Sequence, residues 1–272
     1  MLGIPAVNGC NSQTTRERPK LRAFLEKLGV AAMPPLTTPI DSGEDPITFS
    51  GHLDQSSHLI SMLKLSTACW LMAREASTRT KIADVHARNI PVVTSGETFE
   101  VAVVHGALPE FLDLCVEFGV ARIECSEDCV PRHLSPQEVI KMINERGMEV
   151  QFGIRRNRGR AMTLRSWKGF VGRGQIWLDA GAKQVIVETT GGEGSADEAG
   201  LFQSALTDRL ATVFGLDTLI FQASSRASQF AILDQFGPRA QLSNVRLDEV
   251  LRVEGYRRGL NSDPFARSNL HF

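Results

Sequence analysis

Lys64 poses the first chemical question, because its ammonium stands in the mostly apolar run Leu59–Leu65. A cation there is costly unless it reaches an anion or a polar pocket. The competing reading is a lysine that snorkels out of a strand edge. Glu124 and Ser126 alternate onto one face at the end of a second apolar run, and Glu127-Asp128 follow them. Glu188 closes the wholly apolar Val185-Ile186-Val187. A carboxylate in such a place is a general base, an oxygen ligand for a metal, or the partner of a neighbouring cation. Glu188 is the best metal-ligand candidate, and an inner ion pair with Lys64 or Arg155 is its structural alternative. Arg155 and Arg156 end a further run and begin a basic cluster with Arg158 and Arg160. The guanidinium fork suits phosphate or carboxylate, although Arg158 and Arg160 read better as a solvated loop. Gln222, Ser224, Ser225 and Arg226 lead into a helical pattern whose first amides and hydroxyls would cradle an anion. Asn244, ending a short run of its own, stands ready to assist.

These residues share one trait: each falls at or near the end of a short apolar run followed by a helical pattern. The alternation predicts βα units and a parallel sheet. Strands are expected at Val30–Met33, Leu59–Leu65, Ile90–Thr94, Ala121–Cys125, Met148–Ile154, Gln184–Glu188, Leu216–Gln222 and Gln241–Val245. The intervening helices run through Arg74–Arg88, Phe99–Phe118, a segment opened by Ser135-Pro136 and closed at Gly147, Trp167–Ala180, Asp197–Phe214, Ser228–Phe236 and Leu247–Arg258. Ser135, Pro136 and Glu138 make a strong helix start. Eight such units in 272 residues predict a single α/β domain, a (β/α)8 TIM barrel, over residues 21–272 behind a loosely ordered tail, 1–20. An open doubly wound sheet would fit the same pattern. In a barrel the strand carboxyl ends and the loops after them carry the chemistry. That rule makes Lys64, Glu124, Arg155 and Glu188 the catalytic candidates. Ser126, Arg156, Gln222, Ser224, Ser225, Arg226 and Asn244 become the substrate- and phosphate-binding candidates. The glycine-rich stretch Gly191–Gly194 is a loop able to cover a ligand.

Composition removes several alternatives. Hydrophobic residues make up 42% and charged residues 22%, and 30 basic residues balance 31 acidic ones. No net field recruits nucleic acid or a membrane surface. The five scattered cysteines fit reduced thiols better than a disulfide framework. Cys125 and Cys129, with a lone His133, lack zinc spacing. No signal peptide or bilayer-length apolar run is read, so the expectation is a cytoplasmic protein. The six histidines show no paired-ligand spacing, and neither a P-loop nor a G-x-S-x-G elbow occurs.

The same residues carry a resemblance to the phosphosulfolactate synthase family, from about Leu53 to Phe265. It is strongest in Glu110–Gly119, Leu178–Glu188, Gly200–Gln203, Leu219–Gly237 and Asp248–Phe265. Lys64 matches the family's second-strand K-x-G-W-G-T, Glu124 and Ser126 its E-x-S, Glu188 its sixth-strand glutamate, and Asn244 its eighth-strand asparagine. Arg226 replaces a family lysine, and Arg156 aligns with a basic position. The departures lie in the same places. G-W-G-T becomes Leu65-Ser-Thr-Ala68, and the first-strand D-K-G finds no counterpart among Val30–Pro39. G-G-T-L-F-E becomes Ser95–Glu100, and the D-G after E-x-S becomes Glu127-Asp128. The fifth-strand glutamate is Gly153, an Arg-Glu pair is Thr190-Gly191, and E-A-P is Gln222-Ala-Ser224. The resemblance implies a barrel enzyme that adds sulfite to phosphoenolpyruvate with magnesium, and a homo-oligomer. The departures imply a lyase on a related small anionic, enolisable substrate, with Mg2+ in question because Gly153 and Gln222 stand at acidic positions. The alternative function is a non-catalytic barrel with a binding or stress-related role.

Overall fold

The computed structural model describes residues 20–126, 134–154, 164–188 and 207–260. Two compact units divide the chain, Met1–Met33 and Pro34–Phe272. In the first, helix α1 (Lys20–Lys27) leaves Leu21 and Phe24 exposed. The second is a closed barrel of eight parallel strands in sequence order: β1 (Thr37–Asp41), β2 (Leu63–Leu65), β3 (Val92–Thr94), β4 (Arg122–Ser126), β5 (Glu149–Ile154), β6 (Gln184–Glu188), β7 (Leu219–Gln222) and β8 (Gln241–Arg246). Around it run α2 (Pro46–Ser56), α3 (Thr67–Met72), α4 (Glu75–Ala87), α5 (Gly96–Val104), α6 (Leu108–Glu117), α7 (Pro136–Asn144), α8 (Leu164–Ala180), α9 (207–214), α10 (Arg226–Phe236) and α11 (Val250–Arg257). The predicted barrel is therefore the observed one. Among the described residues no helix is long and apolar enough to cross a membrane.

One strand expectation is corrected. Val30–Met33 is not a strand, and β1 lies at Thr37–Asp41 despite Pro39 in its middle. The missing N–H is tolerated because the pairing with β8 shifts register between Thr38 and Pro39. Opposite the shift, Asn244 is the extra residue of a bulge. It holds φ +60°, a left-handed conformation that asparagine accepts more readily than most residues. The expected helix Phe99–Phe118 is also two helices, α5 and α6, separated at Gly106 (φ +66°) with Pro109 in the first turn of α6.

Register sorts the strand residues by face. Arg122, Gln184 and Gln241, the first residues of three even strands, link across the amino end of the barrel. Arg122 Nη1 donates to Gln184 Oε1 at 2.7 Å, and Gln184 Nε2 donates to Gln241 Oε1 at 2.8 Å. Two residues further along the even strands, the same face carries Glu124, Ile186 and Ser243, joined by Lys64 of β2. This is the alternate-strand layering of such barrels. The opposite faces, with Leu63, Leu65, Cys125, Phe152 and Phe221 among them, are buried in the apolar core under the helices. Arg257 closes the ring from α11. Fully buried, it donates to the carbonyls of Pro238 (2.7 Å) and Ala240 (2.5 Å), to Glu254 Oε1 (2.9 Å) and to Thr37 Oγ1 (3.1 Å). Burial pushes its pKa down while the adjacent Glu254 carboxylate pulls the other way.

Candidate active site

Lys64 and Glu124 meet inside the barrel, Nζ to Oε2 at 2.7 Å, across the intervening β3. Both side chains are almost fully buried, 3% and 4% exposed, so solvent screens little of their attraction. Lys64 pairs with Glu124 rather than with Glu188, the carboxylate its sequence position suggested, and it does not snorkel. Gln151, opposite Glu124 on β5, donates Nε2 to Glu124 Oε2 at 3.2 Å. The amide of Gly96, first residue of α5, donates to Glu124 Oε1 at 3.2 Å. Glycine is required at that approach, because a Cβ on Gly96 would sit 3.2 Å from the same oxygen. Gly153 flanks the carboxylate on the other side, where a Cβ would stand 3.8 Å from Oε1. Next to the pair, burial and then the Glu124 charge push the Cys125 thiol well above its ordinary range. That thiol stays protonated and is a poor metal ligand.

The turns after β2 and β3 are tied to each other. Thr67 Oγ1 lies 2.5 Å from Ser95 Oγ and donates to Glu97 Oε2 at 2.6 Å, while Ser95 Oγ lies 3.1 Å from Thr98 Oγ1. The stretches Leu65–Ala68 and Ser95–Glu100 are thus in direct contact through Thr67. Ser126 donates its hydroxyl to Glu100, four residues after Gly96 on α5, so α5 braces both polar residues of β4. At the end of β1, Asp41 accepts the amide of Gly43 at 2.9 Å and pairs with the buried Lys81 of α4. Asp41, Ser42 and Gly43 thus close β1 beyond Val30–Pro39, the stretch read in the sequence as the first strand and its turn.

The other candidates separate. Glu188 is half-buried at the end of β6, in register with Gln222 of β7, itself paired with Ser243 of β8. Ser224 is exposed after β7. The Ser225 hydroxyl is engaged in a capping box at the start of α10, accepting the Ser228 amide at 3.2 Å. Arg226 lines a cavity between α10 and α11. Asn244 belongs to the β8 bulge rather than to the strand's end, and its Oδ1 accepts the Ser243 hydroxyl at 3.2 Å. Arg155, Arg156 and the Gly191–Gly194 loop lie outside the described residues. Gln151 and Glu100 are the residues that sequence reasoning missed. A glutamine between Val150 and Phe152, two positions before Gly153, is the signal for the first, since period-two alternation turns it inward.

Magnesium prefers a near-octahedral shell of hard oxygens. The described carboxylates of Asp41, Glu100 and Glu124 are already engaged by donors of the chain. Among the described residues no group of three or more His, Cys, Asp or Glu could hold a metal ion.

Comparison with known proteins places this geometry. Residues 35–263 match the family described as (2R)-phospho-3-sulfolactate synthase (ComA). The chain is 27% identical to the phosphosulfolactate synthase of Methanocaldococcus jannaschii over 239 residues, covering 85% of this chain and 94% of that protein. It is 25% identical to the Bacillus subtilis phosphosulfolactate synthase, covering 83% and 90%. Among solved structures it resembles 3-dehydroquinate dehydratase from Geobacillus kaustophilus, with a TM-score of 0.57 at 12% identity, covering 83% of this chain and 92% of that one. That last likeness is one of fold alone. The chain belongs to the (2R)-phospho-3-sulfolactate synthase family, as a divergent member.

Proposed function

We propose that the chain is a lyase or synthase that forms a C–S or related bond on a small anionic, enolisable substrate resembling phosphoenolpyruvate. The observation that carries this reading is the buried Lys64–Glu124 pair at 2.7 Å. A preorganised ammonium in a dry site stabilises charge as it develops on an enolate far better than one in water. In the inherited reaction the sulfur lone pair of bisulfite attacks the terminal carbon of phosphoenolpyruvate. The C–S bond forms as the C=C π pair moves onto the carbon bearing phosphate and its carboxylate. Lys64 stabilises that charge and donates a proton to the carbon. Glu124 takes the proton that bisulfite gives up and returns it to the Lys64 amine, so atoms and charge balance. Ser224, exposed just after β7, is the polar group of the described rim that would meet the substrate's anionic end.

Incubation with phosphoenolpyruvate and sulfite, with and without magnesium, tests the inherited reaction by mass spectrometry for phosphosulfolactate. Absence of product beside an active synthase control excludes it. Loss of proton transfer in Lys64→Met or Glu124→Gln should lower turnover by about 10²–10⁴-fold. Thermal stabilisation by phosphoenolpyruvate that vanishes in Lys64→Ala and Glu188→Ala supports a substrate site. If neither turnover nor stabilisation appears, the non-catalytic reading replaces this one.

A further inference from the structure

Outside the barrel, α10 and α11 enclose a cavity of about 330 Å³ lined by Arg226, Phe230, Arg252, Gly255, Tyr256 and Leu260. That volume lies at the low end of the ~300–1,000 Å³ of small-molecule sites. The lining is ordered by spacing. Phe230 and Tyr256 stack face to face, 3.9 Å between centroids and 8° between planes, and give the lining its aromatic part. Arg226 precedes Phe230 by four residues, and Arg252 precedes Tyr256 by four. Each arginine therefore stands one helical turn, about 5.4 Å, toward the amino end from its ring. Tyr256 is oriented by its hydroxyl, which donates to Asp234 at 2.5 Å.

Two observations point to a ligand. Arg252 pairs with Glu249, Nη2 to Oε1 at 2.6 Å, while its buried Nε makes no hydrogen bond. Unsatisfied buried donors are uncommon and call for an acceptor. Gly255, in the same lining, has nothing within 4 Å of the place where its Cβ would be. The cavity thus has an open wall, an aromatic surface and cationic donors on one side of it. We propose that this cavity binds a planar aromatic anion, its ring against the Phe230–Tyr256 stack and its carboxylate or phosphate on Arg252 and Arg226. Offset stacking serves the ring, and the guanidinium fork serves the anionic group. The site is independent of the barrel chemistry and stands or falls apart from it.

Tyr256 is the chain's one tyrosine, so ring 13C-labelled tyrosine gives a single NMR reporter inside the cavity. The full chain is titrated with benzoate and phenyl phosphate, and in parallel with cyclohexanecarboxylate and inorganic phosphate. Saturable shifts of the Tyr256 ring with the aromatic anions, at least tenfold weaker with the two controls, are expected. Comparing benzoate with phenyl phosphate distinguishes a carboxylate from a phosphate ligand. Arg252→Ala and Gly255→Leu should each weaken binding at least tenfold. Gly255→Leu should leave the melting temperature unchanged or raised, because glycine in a helix interior is unfavourable. No shift up to 20 mM overturns the proposal, as do shifts that both variants leave intact. A Tyr256 signal that moves with protein concentration alone also overturns it, by assigning the cavity to a second copy of the chain.

Discussion

Replacing Lys64 by methionine keeps most of the aliphatic stem and deletes the charge, so it isolates the ion pair. Glu124 then retains the Gly96 amide and the Gln151 amide group, but a full negative charge is left in a site 4% exposed. Removing one member of a buried pair typically costs about 3–5 kcal/mol. Lost packing adds little, because the volumes are similar. For a barrel of this size each kcal/mol moves the midpoint by ~2–4 °C, so the melting temperature should fall by about 10 °C. Glu124→Gln strands the ammonium instead and should cost a similar amount. The double variant Lys64→Met/Glu124→Gln leaves no buried charge, and it should recover at least half the loss. Against the summed loss of the two single variants, the coupling energy is then at least about 3 kcal/mol, well above the ~0.3–0.5 kcal/mol scatter of independent sites. Urea unfolding followed by tryptophan fluorescence and far-ultraviolet circular dichroism measures all four proteins, with coincident curves justifying two-state treatment. Additive single effects, or a Lys64→Met variant within 0.5 kcal/mol of the parent, would refute the pairing.

Gly153→Glu should lower the melting temperature in EDTA, and magnesium or manganese should restore it. An unchanged melting temperature in EDTA would show that the added carboxylate avoids Glu124. Cys115, its thiol pushed up to about 12 by burial, and Cys125 should resist iodoacetamide at pH 8 in the native protein and react in denaturant, as mass spectrometry of the labelled peptides will report. The raised Cys115 pKa also means that the stability it carries is intact below its ordinary value of 9.0 and is lost as pH rises from there toward about 12. Ser135→Ala removes one arm of the α7 capping box and should cost about 1 kcal/mol in the same urea assay.

The parts of the fold legible in the sequence were those with local signals. Strand β6 runs from Gln184 to Glu188 as its apolar core predicts, and α7 opens on the capping box that Ser135 and Glu138 announce. β1 was not legible, because Pro39 and flanking threonines disguise a strand whose partners lie far along the chain. Only the bulge opposite Asn244, a property of the closed ring, makes the proline acceptable. Lys64 and Glu124 could each be singled out, but their pairing depends on the stagger between β2 and β4. The roles of Gln151 and Glu100 depend on which strand and helix lie next to Glu124 and Ser126, which local pattern does not encode.

The replacement of the family's fifth-strand glutamate by Gly153 and the burial of Lys64 against Glu124 are two sides of one charge balance. A carboxylate carried on residue 153 would extend from a Cβ only 3.8 Å from Glu124 Oε1. At a separation of ~6 Å and an effective dielectric of 20, two such charges repel by about 3 kcal/mol. A site with both acids therefore needs a second cation or a proton to be stable. With glycine at 153, the Glu124 carboxylate faces one ammonium, that of Lys64. The glycine at 153 thus leaves the Lys64–Glu124 pair electrically balanced without a further cation, which a carboxylate at that position would upset.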